Sequence, residues 1–291
     1  MSAPGTGPTS AADGPRLTTF EREGLAFDVH DHRPTREQVG TAVLLHGFPQ
    51  DATAYDDVVP HLVRGGLRVL VPDQRGYSPG ARPSGRRPYV LRELVEDVVA
   101  LLDAAGVEEA HVVGHDWGGA VAWAVASRRS ARVASLTALS TPHPAALAEA
   151  LRYTDQARRS TYILAFQVPR VPEARLLAGD GAGLRRALRS SGLDEDRTAH
   201  YVERLREPGA LTAALAWYRA LPLGQGFGAG IVHVPTVLVH GRADPFFSAW
   251  GAAATHRYVR GPYRSIGLDA DHWLPESHPL VVADAVLSHL T

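Results

Sequence analysis

The run His111-Val-Val-Gly-His-Asp116-Trp-Gly-Gly119 decides the fold. Apolar residues of strand character, Ala110 to Val113, lead into a glycine-flanked turn, and a small-residue stretch of helical period follows from Gly118 to Arg129. That is the outline of a nucleophile elbow, in which a turn lifts one side chain above a sheet edge beside backbone N–H groups. Glycines flank it because such a turn is strained and tightly packed. The lifted residue is Asp116, where a serine is usual. Serine would imply esters or amides. A carboxylate attacks acyl groups poorly but can attack an electrophilic alkyl carbon, forming a covalent ester that must then be hydrolysed. The residue type therefore predicts epoxide opening or halide displacement.

Outward from the elbow, short apolar runs recur at Thr41–Leu45, Leu67–Val71, Ala134–Leu139 and Thr236–Val239. Runs of this length suit strands buried on both faces of a parallel sheet. Helical period separates them at Tyr55 to Arg64 and at Val90 to Ala105. The alternation predicts βαβ crossovers and a mostly parallel, doubly wound α/β sheet. An antiparallel edge strand is expected near Leu25 to His30. From Pro142 to Gly230 no buried strand is signalled, only arginine-rich helical stretches broken by Pro169, Pro172, Gly179 to Gly183, Pro208 and Pro222. An interruption of about ninety residues is too long for a loop. It predicts a helical cap at 142–228 inserted into a core of 16–141 and 229–291, behind a Gly/Pro/Ser-rich tail at 1–15.

Bulk composition narrows the partners. The 291 residues are 45% hydrophobic, enough to bury one large core. A net charge of −1 gives no electrostatic case for nucleic acid or an anionic membrane. All 30 basic residues are arginine, which reads as the codon bias of a GC-rich genome. There is no cysteine, hence no disulfide, thiolate metal site or cysteine nucleophile. The tail lacks the apolar stretch of a signal peptide, and no run has the length of a membrane span. A soluble cytoplasmic protein needing no cofactor and no metal is the expectation. A homodimer is compatible with the chain, and no pattern fixes the oligomeric state.

An alkyl ester needs a base to activate water, and the base needs an orienting group, in the chain order nucleophile, acid, histidine. Asp244, directly after the run Thr236–Val239, is the acid candidate. His272, after a strand-like run Tyr263 to Leu268, is the base candidate. Both fall at strand C-terminal ends, where such sheets gather ligands. Asp269 and Asp271 are weaker alternatives for the acid. The motif His46-Gly47-Phe48-Pro49 predicts an oxyanion hole, with the Phe48 and Trp117 N–H groups aimed at the Asp116 carbonyl oxygen. Gly47 permits close approach and Pro49 stiffens the turn. His46 and His115 are expected to hold loops by hydrogen bonds.

From about Leu17 onward the chain resembles the epoxide hydrolases of the α/β-hydrolase fold, near the soluble type. Gly114-His-Asp-Trp-Gly-Gly119 is similar to that family's nucleophile motif and His46-Gly-Phe-Pro49 to its oxyanion motif. Ser160-Thr-Tyr162-Ile-Leu-Ala-Phe166-Gln-Val-Pro169 and Ala216-Trp-Tyr218-Arg219 resemble the two cap segments that carry the family's epoxide-activating tyrosines. The resemblance implies that Tyr162 and Tyr218 hold the epoxide oxygen, with a small-molecule epoxide and water as the partners. The chemistry agrees, since a phenol with a pKa near 10 can stabilise and protonate a developing alkoxide.

One stretch departs from the family. Gln74 to Pro83 is longer and richer in proline than the usual turn there, and is either scaffold or part of the entrance. Two rivals remain. A haloalkane or haloacid dehalogenase would use the same aspartate, with the Trp117 indole available to a halide. A hydrolase-fold binding protein would keep the pocket but lose a triad member, and Asp116, Asp244 and His272 are all present.

Overall fold

Successive side chains of a strand point to opposite faces of its sheet. The computed structural model describes residues 15–224 and 229–290. Its sheet comprises β1 (Thr19–Arg22), β2 (Leu25–His32), β3 (Gly40–Leu45), β4 (Leu67–Pro72), β5 (Ala110–His115), β6 (Val133–Leu139), β7 (Thr236–Gly241) and β8 (Tyr263–Leu268). Their spatial order is β1-β2-β4-β3-β5-β6-β7-β8. Neighbours from β4 to β8 pair in parallel, while β2 is antiparallel to both β1 and β4.

The alternation builds two cores. Val43, Leu45, Val112 and Leu136 face one way, against the helices Leu91–Ala104 and Trp117–Arg128. Ala42, Leu44, Val113 and Val239 face the other way, against Val59–Arg64 and Pro279–Leu287. The helix Trp117–Arg128 is buried almost from end to end, as its unbroken run of Ala, Val, Gly and Trp requires.

Two sequence expectations need correction. The segment near Leu25 to His30 does form an antiparallel strand, β2, but it is not the edge. Glu23 and Gly24 take positive φ values of 52° and 76°, a two-residue reversal that folds β1 back onto β2. The helix expected over Tyr55 to Arg64 is also divided. Asp51 accepts the Thr53 N–H at 3.0 Å and closes a separate 3-10 turn, Ala52–Tyr55, so the α-helix begins only at Val59.

Between β6 and β7 the described residues contain helices but no strand. They run Pro144–Tyr153, Gln156–Arg159, Thr161–Phe166, Val171–Ser190, Glu195–Arg206 and Ala210–Ala220. Pro172 lies in the first turn of its helix rather than breaking it, where its missing N–H costs nothing. The real interruption is at Ala178–Gly181, whose backbone leaves helical values. The predicted tail up to residue 14 and the predicted end of the insertion at 228 lie outside the described residues. No helix among the described residues is long and apolar enough to cross a membrane.

The Gln74 to Pro83 stretch is bolted down. The Arg75 guanidinium forks onto Asp97 at 2.7 and 2.6 Å, and the Trp217 indole donates to the Arg75 carbonyl at 2.8 Å. Arg82 pairs with Glu207 at 2.7 Å. A planar fork is what a buried bidentate carboxylate partner needs. The stretch ties the sheet to the overlying helices.

Candidate active site

Four strand ends converge. β5 delivers Asp116, β3 delivers Phe48, β7 delivers Asp244 and β8 delivers His272, all at carboxyl ends of parallel strands. Asp116 sits at φ 51°, a left-handed conformation rare for a side-chain-bearing residue. Its neighbours make room for it. A Cβ on Gly118 would lie 2.0 Å from the Leu45 carbonyl oxygen, and one on Gly47 would lie 2.4 Å from the Asp116 Cβ. Gly118→Ala should therefore push the elbow helix off β3. We expect a loss of about 3 kcal/mol or more, read as a lowered denaturation midpoint, because the blocking atom is backbone.

The Phe48 N–H donates to Asp116 Oδ1 at 2.9 Å, and the Trp117 N–H also donates to this carboxylate. His272 Nδ1 lies 2.8 Å from Asp244 Oδ2, which fixes the proton on Nδ1 and leaves Nε2 facing Asp116 Oδ2 at 3.8 Å. Asp244 Oδ1 accepts the N–H groups of Phe246 and Phe247 at 2.7 and 3.0 Å. Burial pushes the Asp116 carboxyl above its ordinary value, against the opposing pull of His272 and the two N–H donors. For His272 burial favours the neutral ring, but Asp244 and then Asp116 override it and the imidazole is raised.

Tyr162 and Tyr218 line the same cavities as Asp116. Their ring centroids are 6.0 Å apart, and the Tyr218 ring meets the Trp117 ring edge-on at 5.0 Å. Burial pushes both phenols up, and the Asp116 charge adds to the shift in each. They are therefore neutral donors at any ordinary pH. The Trp117 side chain is hydrogen-bonded to Tyr218.

The alternative acids are placed elsewhere. Asp269 pairs with Arg242 at 2.7 Å on the surface, and Asp271 accepts the Trp273 N–H at 3.0 Å. His46 Nε2 accepts the Gln74 N–H at 3.2 Å. His115 Nδ1 lies 2.8 Å from Gln50 Oε1, and its Nε2 lies 2.9 Å from the His272 carbonyl. Gln50 Oε1 also accepts the Gly47 N–H at 2.8 Å, and Gln50 Nε2 donates to Glu276 at 2.7 Å. Sequence reasoning missed Gln50, Glu276 and the Phe246-Phe247 pair. Only the last left a local signal, since an Asp followed by Pro is a turn former whose carboxylate takes N–H groups two residues on.

Two cavities, of about 350 and 300 Å³, open from Asp116. They share Asp116, Tyr162, Tyr218 and Phe246. No residue of 74–83 lines either one, so that stretch is scaffold and not entrance.

An aspartate elbow on this sheet defines the class. The chain belongs to the α/β-hydrolase fold family, whose pattern matches residues 42–279, and within it to the epoxide hydrolases. It is 33% identical to Epoxide hydrolase A of Mycobacterium tuberculosis, over 86% of this chain and 89% of that protein. It is 34% identical to the AB hydrolase superfamily protein YfhM of Bacillus subtilis, over 96% and 99%. The crystal structure of Epoxide Hydrolase A from Mycobacterium thermoresistibile superposes with a TM-score of 0.79 at 28% identity, covering 94% of this chain and 97% of that one.

Proposed function

We propose that this chain is an epoxide hydrolase that opens its substrate through an ester on Asp116. The observation that carries this is a buried carboxylate facing two neutral phenols on one side and an imidazole at 3.8 Å on the other. In the first step an Asp116 oxygen attacks an epoxide carbon and the carbon–oxygen bond of the ring breaks. The ring oxygen takes a proton from the Tyr162–Tyr218 pair. In the second step His272 removes a proton from water, and the hydroxide adds to the Asp116 Cγ. Phe48 and Trp117 N–H groups hold the oxyanion, Asp244 steadies the imidazolium, and the helices between β6 and β7 serve as the cap. The alkyl oxygen leaves with the proton from His272, and the remaining water proton replaces the one drawn in the first step. The products are a vicinal diol and an Asp116 that has exchanged one oxygen with water.

Two hydroxyl donors over the nucleophile suit an alkoxide better than a halide, and the Trp117 indole is already engaged by Tyr218. This favours epoxide opening over dehalogenation. The test is one turnover with enzyme in excess in ¹⁸O-water. Label in the peptide carrying Asp116, with none in the diol, is the expected result. Label in the first-turnover diol would mean direct attack by water and would overturn the ester mechanism.

A further inference from the structure

The two phenols stand on unequal supports. Tyr218 belongs to the helix Ala210–Ala220, in which nine of eleven residues are buried. Tyr162 belongs to Thr161–Phe166, six residues of which none is fully buried. A helix that short does not hold itself, and with so little buried face it gains little from packing. Something else must fix Tyr162 against Tyr218.

The tie is polar and sits at the carboxyl end of the shorter helix, where the last carbonyls lack partners within the helix. Gln167 Nε2 donates to the Ile163 carbonyl at 3.3 Å and to the Tyr218 carbonyl at 2.8 Å, so one amide spans both helices. Arg219 Nε donates to the Phe166 carbonyl at 2.9 Å, and its Nη2 donates to the Val168 carbonyl at 3.1 Å. Nη1 and Nη2 also fork onto Glu173 at 2.7 and 2.9 Å, in the first turn of Val171–Ser190. A planar guanidinium serves all these directions at once, and its charge suits a helix carboxyl end. The Phe166 ring, whose backbone Arg219 grips, lies edge-on to both phenols, 5.5 Å from Tyr162 and 5.0 Å from Tyr218.

We infer that Arg219 is a positioning residue for epoxide opening: with Gln167 and Glu173 it clamps Tyr162 against Tyr218, so that both bear on one oxygen. None of the three lines either cavity, so the clamp acts through the phenols and not on the substrate. This rests on the epoxide hydrolase reading and adds to it a residue outside the pocket. The consequence is selective. A misplaced Tyr162 weakens alkoxide stabilisation in the first step, while His272 and Asp244, delivered by β8 and β7, keep their places for the second.

Rapid-quench intact-mass measurements with styrene oxide and a straight-chain terminal epoxide separate ester formation from ester hydrolysis in one protein. Arg219→Gln should slow ester formation by about tenfold and leave hydrolysis within about twofold of the wild-type rate. In a Tyr162→Phe background the same change should add nothing, because the group it positions is gone. Gln167→Leu removes only two neutral hydrogen bonds and should act in the same direction by about threefold, which keeps the test decisive if Arg219→Gln does not fold. A merely structural role would lower both half-reactions together, or add its full loss on top of Tyr162→Phe. Either result would overturn the proposal, as would unchanged ester formation in the two variants. Failure of the underlying reading would look different, since the wild type would then form no ester with either epoxide.

Discussion

His272→Ala should consume one equivalent of epoxide and then stop. Burial and the Phe48 and Trp117 N–H groups remain around Asp116 in that variant, so the carboxylate can still attack. What is lost is the only imidazole facing the ester among the described residues, since His115 is turned toward Gln50 and the His272 backbone. Steady-state turnover should fall by about 10³-fold, within the range that removing a general base commands. Intact mass should rise by the whole mass of the epoxide, mapping to Asp116. A gain equal to a haloalkane minus HX, from a parallel incubation with haloalkanes, would instead assign a dehalogenase. An unmodified protein that still turns over would remove His272 from the mechanism.

Removing the phenol hydroxyls should do the reverse. Tyr162→Phe or Tyr218→Phe leaves one donor for the developing alkoxide, and each should slow ester formation by about 10²-fold. The double variant leaves none and should lose about 10³-fold or more, the two acting as a unit and not additively. Hydrolysis of an ester already formed should be nearly untouched, because the phenols act on the other bond. The Phe rings keep the edge-on packing with Trp117 and Phe166, so the fold should survive. If the double variant formed ester at the wild-type rate while hydrolysing it slowly, the roles assigned to cap and base would have to be exchanged.

Much of this is legible in the sequence. The inner strands β3 to β7 declare themselves because burial on both faces leaves no polar alternation to confuse the pattern. The Asp116 elbow is legible because the elbow forces small residues around one reactive side chain. Asp244 and His272 followed from chain order, and the structure brings them within 2.8 Å of each other. Tyr162 and Tyr218 had no such local mark. A tyrosine on a helix is ordinary packing, and only the flanking resemblance singled these two out.

The Gln50–Glu276 contact joins residues 226 positions apart and has no sequence periodicity to betray it. The β8 edge, Tyr263–Leu268, is legible in the sequence, but the β1 edge is not. β1 was missed because a four-residue strand with one buried side chain carries almost no pattern.

The short gap between His272 and Asp116 also decides where protons come from. An ionised Asp116 is one of the groups that hold a proton on His272, and esterification abolishes that charge. Just below the raised imidazole pKa, where the ring is charged before esterification and neutral after it, the phenols can therefore recover their proton from His272, with no exchange with the medium. Above it the ring is already neutral, and the alkoxide must be quenched from outside, with the phenols as intermediaries. A weakly buffered stopped-flow trace with an indicator dye should show one proton taken up per adduct on the alkaline side and fewer in the window just below the raised imidazole pKa. On the proposed mechanism Asp116 and His272 thus act as a single acid–base reservoir, emptied by the same event that creates the need for a base.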